Sequence, residues 1–235
     1  MGRIERAFEQ QYRSWLAALG ARRPARLAEW LVRRIVKRAR TRSISQTEAL
    51  ANMAGMLLER YGRTQQCRPL KETIPPTFWC DAGLGGLARW LRAAGYYARW
   101  QPDIDDAQLL GRAAEAHAVV LSTDSLLLER RAVISGAVQV LWLPPACGVG
   151  VQLHLVLRRW NLALREPLCM NCSGALDRVD KEAVRSRIPP RTYRWLDEYY
   201  RCRDCGQLFW RGTHWQRIRG ELERLQAPGP LKAKP

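Results

Sequence analysis

A chain of 235 residues with 39 Lys and Arg against 22 Asp and Glu carries a formal net charge of +17 at neutral pH. With 47% hydrophobic residues and 10 Trp it can bury a core, which excludes wholesale disorder, and its length suits one domain with appendages or two small ones. Such an excess of cations attracts polyanions, so nucleic acid heads the list of partners and an anionic membrane surface comes second.

The opening MGRIERAFEQQYRSW is too densely charged for an export leader and lacks a continuous apolar stretch, which leads us to expect a cytoplasmic protein. Residues 1–70 hold 15 basic and 5 acidic side chains. They read as helices over roughly 4–19, 25–40 and 45–61. In the second, Leu27, Trp30, Leu31, Ile35 and Val36 recur at helical spacing, with Arg33, Arg34, Lys37 and Arg38 between them. One stripe faces a core, and the other meets either a polyanion or plain solvent. Pro69, Pro75 and Pro76 then punctuate a linker.

The centre, 71–150, is nearly neutral, with 7 basic and 8 acidic residues. TFWCD (77–81) reads as a strand, 84–94 as a helix ended by Gly95, 97–101 as a strand and 106–116 as a helix. AVVLS (118–122) is the next strand, a short helix starts at Ser125, and 138–143 is a further strand. Strand and helix in alternation imply a parallel sheet with helices on both faces, with ligands beyond the carboxyl ends of the strands. The uncharged stretch Ala132–Leu157 has the length of a membrane span, but Gln139, Pro144, Pro145, Gln152 and His154 make it strand, turn and helix instead. No membrane insertion is expected.

Two of these strands run into acids. TFWC leads into Asp81, and AVVLS, through Thr123, into Asp124; Asp106 opens the helix between them, with Asp103 and Asp105 just upstream. A parallel sheet would bring these acids to one edge. Crowded carboxylates repel unless a cation compensates them, and Mg²⁺ or Mn²⁺ takes such oxygen ligands. Metal-assisted hydrolysis of a nucleic-acid phosphodiester is the chemistry that joins this site to basic flanks. Each acid also has a plainer use, since Asp105, Asp106 or Asp124 can cap the helix that follows it. Asp81 is harder to explain that way, because Gly83, Gly85 and Gly86 need no acid nearby.

The last part, 151–235, holds 17 basic and 9 acidic residues and two CxxC knuckles, Cys169-Met-Asn-Cys172 and Cys202-Arg-Asp-Cys205, separated by 29 residues. Four thiolates so spaced make a closed, structural zinc site, with Gly206 suited to the turn after the second knuckle. A redox dithiol needs one CxxC, not two. Seven cysteines in a chain without a leader favour metal over disulfides. Arg194, Arg203, Arg211 and His214 stand among Tyr193, Trp195, Tyr199, Tyr200, Phe209, Trp210 and Trp215. Arginine interleaved with aromatics suits RNA, though part of this set must pack the ribbon. His214 is either a substrate contact or a packing residue. Cys67, Cys80 and Cys147 lack paired spacing and read as ordinary thiols, and the isolated His117 and His154 are assigned no role.

The run Asp81-Ala-Gly-Leu-Gly-Gly-Leu-Ala-Arg-Trp-Leu-Arg92, then Gly95-Tyr96, Asp105-Asp106 with Leu109-Leu110, Val119-Val120-Leu121-Ser122-Thr123-Asp124 and the closing FWRGTHW (209–215), resembles the Mut-seven C-terminal RNase family. That family is similar to PIN-domain ribonucleases and ends in a zinc ribbon. The resemblance implies a PIN-like α/β sheet with Asp81, Asp106 and Asp124 as the catalytic Mg²⁺ or Mn²⁺ ligands. It also implies that Arg89 and Arg92 face the substrate phosphate or brace the acids. Thr123 stands where the family's usual Leu-Thr-Arg-Asp has arginine, and 143–150 supplies no fourth acid. The N-terminal helices do not look like the ubiquitin-like module of bacterial relatives.

The expected organisation is a basic helical segment (1–70), a PIN-like nuclease domain (77–162), a zinc ribbon with C-terminal helix (165–226) and a tail (227–235). The expected function is a metal-dependent ribonuclease whose ribbon and basic flanks bind RNA. The rival is a non-catalytic RNA-binding or ribonucleoprotein-associated protein with a vestigial acidic site. The charge pattern admits DNA as a third partner.

Overall fold

A computed structural model describes residues 2–66, 75–145 and 147–226; Cys67, Pro69 and the tail 227–235 lie outside the described residues. Three helices come first, α1 (Arg3–Ala18), α2 (Pro24–Thr41) and α3 (Gln46–Gln66). Pro24 opens α2 where its missing N–H costs nothing. The buried seam of α2 is Ala28, Val32, Val36 and Ala39, rotated from the expected stripe. Leu31 and Ile35 are only partly covered, and Trp30, half exposed, lies outside under the Arg34 guanidinium at 4.8 Å. Small residues on the seam explain the rotation, because alanines bring α2 closer to its neighbours than a Trp and Leu would.

The centre runs β1 (Phe78–Cys80), α4 (Gly85–Ala93), β2 (Ala98–Trp100), α5 (Asp106–Glu115), β3 (Val119–Ser122), α6 (Arg131–Ile134), β4 (Val140–Trp142) and α7 (Val149–Arg159). The four strands form one parallel sheet in the order β2-β1-β3-β4, with Cys80 opposite Leu121 and Ser122 opposite Trp142. β3 is buried at every position, as its unbroken VVLS run requires of a strand covered on both faces. Phe78, Cys80, Val119 and Leu121 pack with Leu87, Leu91, Leu153 and Val156 of α4 and α7. On the opposite face Val120 meets Leu109, Leu110 and Ala113 of α5. Helices therefore flank the sheet on both sides, as the alternation predicts.

The N-terminal helices share the larger of these cores rather than forming a separate one. Phe8 meets the Trp142 ring edge-on at 5.0 Å, and Gln11 donates to the Trp142 carbonyl at 2.6 Å. Burying a side chain such as Phe8 stabilises by about 1.5–3 kcal/mol. Because Trp142 is the last residue of β4, α1 sits against the carboxyl edge of the sheet.

The C-terminal part is a second, antiparallel sheet, β5 (Leu176–Val179), β6 (Tyr199–Cys202) and β7 (Leu208–Trp210), with α8 (Pro190–Trp195) between β5 and β6. It has a small core of Val184, Ile188, Tyr199 and Leu208. α9 (Thr213–Gln226) then returns to the larger core through Leu222 and Leu225. Among the described residues no helix is long and apolar enough to cross a membrane.

Candidate active site and metal centre

Asp81 follows the last residue of β1 and caps the short turn that leads into α4. Its carboxylate is fixed by three donors. Oδ1 accepts from the Gly83 N–H at 3.1 Å, and Oδ2 from the Ser122 hydroxyl at 2.6 Å and the Thr123 N–H at 2.8 Å. The Ser122 oxygen in turn accepts from the Asp124 N–H at 2.9 Å. A single hydroxyl therefore links the Asp81 carboxylate to the Asp124 backbone across two adjacent parallel strands. The Asp124 Oδ1 caps the next turn, accepting from Leu126 N–H at 2.9 Å, so the capping role and the edge position are both real.

Asp106 is the first residue of α5, and the cap itself is Asp105, which accepts from Gln108 N–H at 2.9 Å. Asp106 pairs with Arg130 at 2.8 Å. The Asp106 carboxylate raises the Arg130 guanidinium above its ordinary value, with Asp124 adding to the effect, which puts Arg130 in the field of both acids. Among the described residues no donor engages Asp124 Oδ2 or Asp106 Oδ1. Asp81 and Asp124 thus stand side by side at the carboxyl edge, with Asp106 tied to Arg130; among the described residues the four cysteines, and not these acids, are the group whose ligand atoms lie close enough together to hold a metal.

The four knuckle cysteines make a tight cluster. Their sulfurs all lie within 4.8 Å of one another, with Cys169–Cys205 at 3.6 Å and Cys172–Cys202 at 3.4 Å. A tetrahedral zinc with Zn–S near 2.3 Å has edges of about 3.8 Å, so the spacing and thiol chemistry fit Zn²⁺. A Cβ on Gly174 would come within 2.7 Å of the Cys202 sulfur and 2.6 Å of Asp204, so only glycine lets the chain pass the cluster. Burial pushes the Cys169 thiol up to about 12, whereas the Gln207 N–H pulls Cys205 down to about 7. Zinc needs these ligands deprotonated, so loading releases protons.

The arginines separate into two groups. Arg89 and Arg194 are exposed, and among the described residues neither is in an ion pair; His214 is exposed too. Arg203 chelates Asp177, with both bonds at 2.7 Å, and Arg211 pairs with Glu198 at 3.3 Å while lying 5.1 Å over the Tyr200 ring. Arg92 is 4% exposed, away from the acids at the far end of α4. Its guanidinium donates to the carbonyls of Met170 and Asn171, each at 2.9 Å, and to Ala98 at 2.8 Å, with the Ser173 hydroxyl at 3.0 Å. A phosphate would reach it only by breaking these bonds, so it clamps the first knuckle to the amino edge of the sheet instead.

Two residues of the acidic edge have no signal in the sequence, Ser122 as the linking hydroxyl and Arg130 as the counter-ion, and Arg92, expected at the substrate phosphate or the acids, is a clamp elsewhere. For Arg92 a signal existed. Leu87, Ala88 and Leu91 mark the buried stripe of α4, and position 92 continues it, whereas Arg89 falls on the other side.

Searches of curated proteins and of solved structures return no match. Residues 76–222 match the Mut7-C RNAse domain, from the start of the parallel sheet through the cysteine cluster into α9. With that match covering most of its length and both clusters, the chain belongs to the Mut7-C RNase family.

Proposed function

We propose that this chain is a divalent-metal-dependent ribonuclease that hydrolyses RNA phosphodiester bonds at the carboxyl edge of its parallel sheet. The observation that supports the reading is the Ser122 hydroxyl that joins the Asp81 carboxylate to the Asp124 backbone N–H, which makes these two acids neighbours on adjacent strands. Carboxylate oxygens of Asp81, Asp124 and Asp106 are of the hard kind that Mg²⁺ or Mn²⁺ takes, and to share one ion Asp106 would have to leave Arg130 and Asp124 turn from its cap. Such an ion supplies an acidified water and charge compensation for the departing oxygen. The three donors on Asp81 hold its carboxylate in one rotamer, so no ordering cost falls on the reacting complex. Arg89, exposed on the helix that starts at this edge, is placed to take a flanking phosphate. The basic face of α2, with Arg26, Arg33, Arg34, Lys37 and Arg38 around Trp30, lines an open groove suited to phosphodiester backbone. The zinc ribbon adds Arg194, Arg203, Arg211 and His214 as further RNA contacts, although two of these arginines would first have to share their acids.

Two observations favour the non-catalytic rival. Arg130 already compensates Asp106, and the segment 143–150 brings no further acid. Cleavage of labelled RNA in Mn²⁺ separates the two. The proposal expects cleavage that chelation stops and that Asp81→Asn or Asp124→Asn slows by more than about 100-fold. Binding without cleavage under every divalent ion, or cleavage indifferent to both substitutions, contradicts it.

A further inference from the structure

The ribbon sheet uses its two faces differently. Tyr199 and Leu208 pack inward with Val184 and Ile188. Arg178, Tyr200 and Phe209 are partners in register and therefore share the opposite face. There a pocket of about 180 Å³ opens, lined by Leu176, Tyr200, Phe209, Trp210, Arg211 and Trp215. Pockets for drug-sized ligands hold about 300–1,000 Å³, so this one suits a single flat ring system. Tyr200 and Phe209 on this face, with Trp215 beside them, offer it stacking surfaces. At the rim the Arg211 guanidinium, 3.8 Å from Glu166, sets donors beside an acceptor, the combination that reads a base edge. Arg178 is exposed on the same face, and among the described residues it has no acid partner.

We propose that this pocket takes one unstacked nucleobase of a single-stranded nucleic acid, with the Arg211–Glu166 pair at the base edge and Arg178 on an adjoining phosphate. An uncharged peptide side chain would fill the ring space and leave both the Arg211–Glu166 donor–acceptor pair and the exposed Arg178 unused, whereas a nucleotide uses all of them. The inference rests on the ribonuclease reading and deepens it by naming single strands as the form held. The pocket belongs to the ribbon, which Arg92 fastens at the amino edge of the sheet, so the base is anchored away from the bond that is cut.

The test is fluorescence anisotropy of the full, zinc-loaded chain with a labelled uridine oligonucleotide and an abasic strand of equal length, which keeps the phosphates and removes the rings. The wild type should prefer the base-bearing strand by about 5- to 100-fold, the worth of one stacked base. Tyr200→Leu and Trp215→Leu should each remove most of that preference and leave abasic affinity unchanged. Arg34→Ala, on α2, should weaken both strands alike. Equal affinity for the two strands in the wild type overturns the proposal, as does a preference that survives both substitutions with zinc content intact. Where a variant loses zinc, photocrosslinking of wild type to a 4-thiouridine strand decides: adducts at Tyr200, Phe209 or Trp215 support the pocket, and adducts only elsewhere overturn it. Base preference without cleavage retains the pocket and removes the nuclease reading; cleavage without base preference does the reverse.

Discussion

The cysteine cluster and the carboxylate edge stand at opposite ends of one sheet and are assembled in opposite ways. Each knuckle is local, two sulfurs three residues apart, and the four sulfurs already sit at the spacing of a zinc tetrahedron with two of them fully buried. The acids come together only because β1 and β3 are parallel neighbours, and each carboxylate already has a partner within the protein. A soft, closed site of this kind contributes folding energy, whereas a hard, open one leaves room for water and substrate. On the proposed reading, stability belongs to one end of the sheet and chemistry to the other, with α4, which begins after the Asp81 turn and carries Arg92 in its last turn, between them.

If that division is right, stripping zinc has the largest effect. Structural zinc sites in small peptides bind with about 10–16 kcal/mol at neutral pH, far more than the ribbon's small core supplies. Hydrogen exchange after chelation should show the amides of 176–210 losing protection, while the Asp81 amide, bonded to the Leu121 carbonyl at 3.0 Å, keeps its own. Loss of protection at both ends together would break the comparison. Next comes Arg92→Leu, which strands the knuckle carbonyls of Met170 and Asn171 and should cost about 3 kcal/mol in a denaturant melt, with zinc release at lower denaturant than in the wild type.

Ser122→Ala works at the other end. It removes a donor to Asp81 and an acceptor for the Asp124 N–H, so about 1–2 kcal/mol of stability should go. The cleavage rate should fall while RNA affinity holds, because phosphate contacts are untouched. The smallest change in stability is expected from Arg130→Ala, an exposed position where the melt should hardly move. Mn²⁺ affinity should nevertheless rise, since the cation that now compensates Asp106 has gone. An unchanged or weaker affinity would show that Arg130 does not compete for this edge.

What was legible in the sequence follows from the same contrast. The knuckles announce themselves by spacing, and Asp81 and Asp124 by standing at the ends of strand-like runs within an alternating pattern. Helix faces were read less well. Trp30 and Leu27 look like core residues of α2 by hydrophobicity alone, but the alanines at 28 and 39 turn the helix so that these larger side chains face outward. The three ribbon strands carry no clear pattern, because aromatics and arginines alternate there on two faces that are both partly apolar, which erases the period-two signal. The docking of α1 on Trp142, and the Arg92 clamp across 78 residues to Met170, depend on contacts between segments that no local pattern encodes.

Titration of the zinc-loaded protein with Mn²⁺, followed by electron paramagnetic resonance, tests the central claim directly. The account predicts one bound Mn²⁺ per chain in the wild type and its loss in the Asp81→Asn/Asp124→Asn double variant, with the four-cysteine zinc still present. No bound Mn²⁺ in the wild type, or binding that survives the double substitution, would contradict it.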